Sequence, residues 1–314
     1  MKSIKKIATG VLILSMAMLS ITPALAEQSE KDKKAILLVT FGTSVKSAMP
    51  VFDNLEQAVK KAFPGVEVRW AYTSTIIREK IAERDGKIID DPVAALKKLW
   101  ADGYKKVVVQ SVHIIPGQEY NDLLNDVNGL LLQQSGEKEQ YPGKVALGKP
   151  LLYLHEDYMD AAKAIATQFP ADTSKAVVLM GHGTEHHPAD SAYGKLNDIL
   201  RHMYENVFLG TVEGYPSLEE IKEDLAASGL KKVTLMPFMN IAGDHALNDM
   251  YGDEEDSWKS QLNKLGYKTD GYLKGLLDNK AIVDIFVSHL TSAMAELDGV
   301  NIENVENAEE VENK

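Results

Sequence analysis

One histidine of this 314-residue sequence stands between two glycines at a place where a turn between strand and helix is expected. The apolar run Ala176–Met180 predicts a buried strand of a parallel sheet, and Gly181-His182-Gly183-Thr184 follows it directly. In open α/β sheets, ligand-binding groups lie at the carboxyl ends of the strands. Because the glycines allow the backbone to turn sharply, we expect the imidazole of His182 to point into a crevice.

Two more side chains follow neighbouring strands in the same way. Glu213 comes just after the predicted strand 207–212, and His245 comes shortly after the predicted strand 232–237, near the start of a helix. Parallel strands lie about 4.8 Å apart, so groups at consecutive carboxyl ends can converge on one point. Two imidazoles and one carboxylate suit a divalent transition metal such as Co, Fe, Ni or Zn, with one coordination position left open. The sequence therefore predicts a metal site formed by His182, Glu213 and His245.

Other polar residues close to these turns have alternative roles. His186 and His187 follow the glycine turn and can form the rim of the site, and His113 ends a strand of the first half and can face the same crevice. Three aspartates are expected either to orient the ligands or to cap helices: Asp190, Asp244 and Asp249. The histidines on amphipathic helices or at their starts are expected to be surface or satisfied groups: His155, His202 and His289.

Short apolar runs alternate with amphipathic segments along the chain, which predicts parallel sheets covered by helices on both faces. The predicted strands are 35–39, 66–72, 105–111, 145–147, 176–180, 207–212, 232–237 and a short one near Tyr272. The predicted helices are 47–62, 92–101, 118–134, 159–169, 190–204, 218–227, 246–265 and 280–295.

The sequence also repeats itself. The segment 35–43 aligns with 176–184, and 107–117 aligns with 233–243. We therefore predict an α/β fold of two similar, doubly wound parallel-sheet lobes, residues 35–154 and 155–295, with a cleft between them. In this alignment Phe41 takes the place of His182 and Glu119 that of His245, so the second lobe carries the metal site.

Composition excludes several classes of function. The sequence has no cysteine, which excludes disulfides, thiolate catalysis and Cys-ligated zinc. The net charge is −12 and no Arg-rich stripe is present, so nucleic acid is not expected as a partner. No glycine-rich loop precedes a Lys-Ser or Lys-Thr pair, so no nucleotide is expected either.

Both ends of the sequence are expected to lie outside the folded lobes. Residues 1–26 have three lysines, then the apolar run 7–19, then the small-residue site Ala24-Leu25-Ala26, which together predict a cleaved signal peptide and a periplasmic protein. The apolar run is too short for a membrane span. Removal of the three lysines lowers the net charge to −15. Residues 296–314 hold seven acidic residues and one lysine, which predicts a solvated, disordered tail.

These motifs resemble those of a known enzyme family. The segments Gly181–Thr184, Val212–Pro216 and Ala242–Ala246, together with Leu38–Ser44, Ala71–Ser74 and His113–Tyr120 in the first lobe, are similar to those of the anaerobic sirohydrochlorin cobaltochelatases of the CbiK type. The resemblance covers about residues 35–295. It implies a ferrochelatase-like fold that holds a tetrapyrrole in the cleft, with His182, Glu213 and His245 as metal ligands and His182 also as proton acceptor.

The implied activity is insertion of Co²⁺ into sirohydrochlorin without ATP, with Fe²⁺ or Ni²⁺ as alternative metals. Because corrin assembly is expected in the cytoplasm, the predicted signal peptide also suggests an exported carrier of haem or metal with the same fold. A periplasmic receptor for small solutes is a third alternative. A homo-oligomer is left open, and the motifs do not assign the residues that contact the tetrapyrrole carboxylates.

Overall fold

A computed structural model describes residues 33–134 and 143–300. The strands are β1 (Lys34–Thr40), β2 (Glu67–Tyr72), β3 (Lys106–Ser111), β4 (Lys144–Gly148), β5 (Lys175–Gly181), β6 (Val207–Thr211), β7 (Lys232–Pro237) and β8 (Lys268–Gly271). The helices are α1 (Phe52–Ala62), α2 (Thr75–Asp85), α3 (Pro92–Ala101), α4 (Gln118–Gln134), α5 (His155–Ala166), α6 (Ser191–Met203), α7 (Leu218–Ser228), α8 (Trp258–Lys264) and α9 (Lys280–Leu297).

The strands form two four-stranded parallel sheets with the same internal order. The first sheet has the order β2-β1-β3-β4 and the second has the order β6-β5-β7-β8. Each central pair is therefore made from the segments that align in the sequence repeat. The predicted α/β fold of two similar parallel-sheet lobes is confirmed.

Both faces of each sheet are covered by apolar side chains. Alternate residues of β1 and β5, such as Ile36 and Val177, contribute to one apolar core together with α1, α5, α6 and α9. The residues between them belong to the opposite face of each sheet. There Leu37 packs with α3 and α4, and Val178 packs with α7 and α8. Because strand residues alternate between two buried faces, the central strands read as continuous apolar runs.

The last helix of the chain returns to the first lobe. Helix α9 packs against β3 and β4 and against α1 and α5. Its buried residues include Phe286 and Leu290, which belong to the same apolar core as Ile36 of β1 and Val177 of β5. A helix from the second half of the sequence thus packs against the first sheet and shares an apolar core with strands of both lobes.

The predicted helix 246–265 is wrong, because the structure has a π-helical turn, Ala246–Met250, and then the separate helix α8. A side chain at Gly252 would overlap the backbone of Asn248, so the chain can turn there only at a glycine. The Ser257 hydroxyl then accepts a hydrogen bond from the backbone N–H of Ser260 at 3.1 Å and starts the new helix.

Helix α2 was not predicted, since it has no apolar stripe and Ile81 is its one buried residue. The first residues of the predicted helix 47–62 are not α-helical, and a short 3-10 turn, Met49–Val51, precedes α1. Helix α5 starts four residues before the predicted 159–169 helix and ends at Ala166, and β8 lies just before the strand expected near Tyr272.

The predicted signal peptide, residues 1–26, and most of the predicted acidic tail lie outside the described residues. Helix α9 reaches Leu297, so it includes the first two residues assigned to the tail. Among the helices of the described segments, none combines the length and the apolarity that crossing a bilayer requires.

A buried carboxylate connects α9 to the start of α5. Asp157 accepts hydrogen bonds from the backbone N–H groups of Tyr153 and Leu154 at 3.0 and 2.5 Å, and its other oxygen lies 3.0 Å from Nε2 of His289 on α9. Burial alone raises the pKa of Asp157, but the bond to His289 and the two backbone bonds outweigh it, so the pKa of this carboxyl lies below its ordinary value.

We expect Asp157→Asn to lower the free energy of unfolding by about 1 to 3 kcal/mol at pH 7. The asparagine oxygen can still accept from the two backbone donors, but its amide nitrogen takes the place of the acceptor that faces Nε2 of His289. The pKa of the folded carboxyl is depressed, so its contribution is present above the unfolded value of 3.8 and is lost as the pH falls through the folded value. The stability difference, measured by urea unfolding between pH 7 and pH 3, should therefore shrink in acid. Asp160→Asn, on the exposed face of α5, is the control, and equal losses for both variants would contradict the prediction.

Candidate active site

His182 lies in a tight turn directly after β5. The φ angle of Gly183 is +79°, and a Cβ atom there would lie 2.7 Å from Cβ of Thr211 and 2.8 Å from the backbone nitrogen of Gly214. A side chain at Gly181 would lie 2.6 Å from the buried ring of Tyr193. Only glycine fits on either side of His182, because the turn is packed between α6 and the end of β6.

Backbone hydrogen bonds place Glu213 beside His182. The N–H of Val212 donates to the carbonyl of Gly181 at 3.1 Å, and the N–H of Glu213 donates to the carbonyl of His182 at 2.8 Å. Asp190 bonds the same two turns through one backbone N–H of each. As a result, Oε2 of Glu213 lies 4.0 Å from Nδ1 of His182.

His245 approaches the pair from the third strand end. It follows β7 by a short loop and directly precedes the π-helical turn. Its ring centroid lies 4.8 Å from that of His182, with the two rings at 90°. The structure thus brings together the three side chains that the sequence nominates as metal ligands, at the carboxyl ends of β5, β6 and β7.

The hydrogen bonds of the two imidazoles leave the same nitrogen of each ring free to bind. Nδ1 of His182 lies 2.9 Å from the carbonyl oxygen of Gly183, and Nδ1 of His245 lies 2.6 Å from a carboxylate oxygen of Asp249. Both partners accept hydrogen bonds, which assigns the N–H to Nδ1 and a lone pair to Nε2 in each neutral ring. Of the alternatives for Asp249, the structure favours the orientation of a ligand.

The three side chains are accessible. The exposed fraction is 46% for His182, 55% for Glu213 and 36% for His245. Within residues 33–134 and 143–300, no three His, Asp or Glu side chains are placed so that they could hold a metal ion without moving. Two imidazole nitrogens and one carboxylate fit a divalent ion such as Co²⁺, and these exposed side chains can rotate toward it.

The nearby rim histidines take different positions. Nδ1 of His187 accepts a hydrogen bond from the backbone N–H of Ala189 at 3.1 Å, and its Nε2 lies 2.9 Å from the side-chain amide of Asn121 on α4. His187 therefore connects the loop after β5 to helix α4 of the first lobe. His186 is exposed on the same loop. Asp244 accepts a hydrogen bond from the side chain of Asn248 at 3.0 Å, within the π-helical turn.

His113 lies inside the protein instead of facing the crevice. Its exposed fraction is 9%, and its Nδ1 lies 2.9 Å from Oγ of Ser111. The segment after β3 is hydrogen-bonded to the loop after β4, since the N–H of Leu151 donates to the carbonyl of His113. This pairing keeps the imidazole of His113 below the surface. Burial lowers the pKa of His113 to about 4, so the ring is neutral at physiological pH.

Comparison with known proteins agrees with this architecture. Residues 34–295 match the model of the Cobalt chelatase (CbiK) family. The chain is 38% identical to Sirohydrochlorin cobaltochelatase CbiKC of Nitratidesulfovibrio vulgaris over 268 residues, which cover 85% of this chain and 92% of that protein. It is also 38% identical to Sirohydrochlorin cobaltochelatase of Salmonella typhimurium over 266 residues, 83% of this chain and 97% of that protein.

The chain belongs to the CbiK cobalt chelatase family. The family resemblance predicted from the sequence motifs is confirmed. The solved structure of SirB from Bacillus subtilis with Fe³⁺ has the same fold, with a TM-score of 0.55 and 15% identity over 85% of this chain and 98% of that one.

Exposed apolar residues at the carboxyl edges of the strands are a feature of this chelatase that the sequence analysis missed. Phe41 follows β1, Ile76 follows β2, Tyr215 follows β6 and Leu247 follows β7, with exposed fractions of 48%, 75%, 62% and 39%. Exposed apolar side chains that follow the strand ends of both lobes suit a flat, partly apolar ligand. The sequence signal was their position shortly after each strand.

We expect Asp249→Asn to weaken Co²⁺ binding by about 10- to 100-fold, because the imidazole of His245 loses the carboxylate that fixes its orientation. His182→Ala and His245→Ala should weaken binding at least as much, since each removes a ligand. Calorimetric titration of the purified protein with Co²⁺ measures these affinities.

The matched control is His202→Ala, an exposed histidine on α6, which should leave Co²⁺ affinity unchanged. Wild-type affinity in His245→Ala, with unchanged circular dichroism, would remove His245 from the ligand set.

Proposed function

We propose that this chelatase inserts Co²⁺ into sirohydrochlorin, with His182, Glu213 and His245 binding the ion and His182 accepting the protons that the ring releases. The observation that carries the proposal is the pairing of two imidazoles, each oriented through Nδ1, beside a carboxylate at the carboxyl ends of β5, β6 and β7. Both curated relatives described above are named sirohydrochlorin cobaltochelatases, which supports the choice of ring and metal.

The reaction requires removal of two protons from the ring. Two pyrrole N–H bonds break, and the resulting dianion binds M²⁺ through its nitrogens. An ion held against the ring makes these weak acids easier to deprotonate, and a neutral imidazole can accept the proton. Nε2 of His182 can accept a proton only when it is not bound to the ion, so the proton is taken as the ion leaves His182 for the ring. The carbonyl of Gly183, which accepts a hydrogen bond from Nδ1, then stabilises the imidazolium that forms. The exposed ring can then release the proton to solvent.

The other two ligands hold the ion loosely enough to transfer it. Three protein ligands leave coordination positions for ring nitrogens, and exposed side chains can withdraw without disturbing a core. The carboxylate of Glu213 lowers the net charge of the bound ion. Before the ion binds, the same carboxylate repels the carboxylates of the ring, so we expect the metal and the ring to strengthen each other's binding. No nucleotide has a role in this proposal.

A carrier of haem or metal is the second candidate, favoured by the predicted signal peptide at residues 1–26. A carrier binds its cargo without turnover, whereas the proposed enzyme releases a metallated ring. Both candidates use the same cleft, so the assay of insertion separates them.

The purified protein, incubated with Co²⁺ and sirohydrochlorin, should change the Soret absorption faster than the uncatalysed reaction. His182→Ala should reduce kcat to near the background rate, and His202→Ala should not.

Two outcomes would contradict the proposal. A rate in His182→Ala equal to that of the wild type would exclude His182 as proton acceptor. Tight haem binding without any insertion would favour the carrier.

We also propose that the mature protein is periplasmic. When the full chain is expressed in a Gram-negative host, the protein recovered from the periplasm should begin at Glu27, because cleavage is expected after Ala26. Leu12→Arg combined with Leu14→Arg interrupts the apolar segment and should leave the uncleaved chain in the cytoplasm. Cytoplasmic wild-type protein that retains Met1 would exclude export.

A further inference from the structure

We propose that Asp190 is a positioning residue that holds the turns of His182 and Glu213 at the separation needed for both to bind one ion. The inference rests on the proposed ligand set. It adds a residue that touches neither the metal nor the ring and acts through the backbone of both turns.

One carboxylate bridges the two turns. Oδ1 of Asp190 accepts a hydrogen bond from the backbone N–H of Thr184 at 2.9 Å, and Oδ2 accepts one from the backbone N–H of Tyr215 at 2.8 Å. Thr184 comes two residues after His182, and Tyr215 comes two residues after Glu213. The bridge therefore lies at the same distance along the chain from each ligand.

The space around the bridge points to the same role. A Cβ atom at Gly214 would overlap the carboxylate of Asp190, and a Cβ atom at Gly183 would lie 2.8 Å from the nitrogen of Gly214. The two turns approach so closely that glycine is required on both sides. The carboxylate fills the gap that remains, so it sets how far apart the turns lie.

The helix that carries Asp190 is fixed to both strands. Helix α6 follows Asp190 directly; Tyr193 packs its buried ring under Gly181 at the end of β5. One turn further on, the side-chain oxygen of Asn197 accepts a hydrogen bond from the backbone N–H of Leu209 in β6 at 2.8 Å. These three positions share one face of the helix, so Asp190 is held in register with the strands that carry the ligands.

The alternative role of Asp190 as a helix cap is not what the structure has. Asp190 precedes the first residue of α6, but its side chain makes no capping hydrogen bond to that helix. Both oxygens are used by the turns instead. An acceptor is needed at both positions because both partners are backbone N–H groups, and only a carboxylate offers two acceptors in this geometry. Asparagine has the same size but would present an N–H to one of the two donors.

Asp190→Asn should therefore weaken Co²⁺ binding by about 10- to 100-fold, the range for residues that orient metal ligands. The matched control is Asp198→Asn, an exposed aspartate on α6, the helix that follows Asp190. It should change the affinity little. Binding is measured by calorimetry with Co²⁺ alone, without a tetrapyrrole.

A second measurement separates positioning from general stabilisation. In a Glu213→Ala background the spacing of the two turns no longer matters for the ligands, so adding Asp190→Asn should cause little further loss of Co²⁺ affinity. An equal fold-loss in both backgrounds would overturn the proposal and leave Asp190 with a structural role only. Wild-type affinity in Asp190→Asn would overturn it as well.

Gly214→Ala provides an independent route if Asp190→Asn does not fold. It keeps the carboxylate but displaces it, and it should reproduce the loss of Co²⁺ affinity in the wild type and not in the Glu213→Ala background. Wild-type Co²⁺ affinity in Gly214→Ala would also overturn the proposal. The proposed function fails separately, since absence of insertion into sirohydrochlorin leaves these metal affinities measurable.

Discussion

The site depends on the parallel pairing of β5 with β6 and β7. Gly181 pairs with Thr211, and Met180 pairs with Pro237, so the three strands end at the same edge of the sheet. The pairing continues for one step into the turn, where the N–H of Glu213 donates to the carbonyl of His182. These backbone bonds hold the first residues of each turn, and Asp190 bonds the residues that follow, so the side chains can remain exposed without losing their relative positions.

Rigid backbone and exposed side chains together suit an ion that is a substrate. A resident metal is held by a closed set of ligands, whereas an ion that must be handed on needs ligands that can release it. Asp249 and the carbonyl of Gly183 orient the two imidazoles through Nδ1, and the Nε2 atoms stay available. In the proposed function, Nδ1 of each imidazole fixes the orientation of the ring, and Nε2 binds the ion.

The two lobes use one turn geometry for different purposes. Gly42 of the first lobe and Gly183 of the second occupy equivalent positions, and both have positive φ angles, +96° and +79°. The residue before each glycine is Phe41 in the first lobe and His182 in the second, so the same turn presents an exposed aromatic ring in one lobe and an imidazole in the other. A change of side chain on a repeated backbone thus places an apolar ring at a strand end of one lobe and a proposed metal ligand at the equivalent strand end of the other.

The features that depend on local pattern could be predicted from the sequence alone. Buried parallel strands must be apolar on both faces, so β5 and its equivalents were visible as runs, and the glycine turn placed His182 at a strand end. The tertiary structure decided what depends on distances between segments far apart in sequence. It buried His113. Among the three aspartates that the sequence did not distinguish, it placed Asp190 between the two turns and Asp249 against the imidazole of His245. It also produced α2, which lacks an apolar stripe, and the break at Gly252, because backbone overlap is a property of three-dimensional packing that residue spacing does not contain.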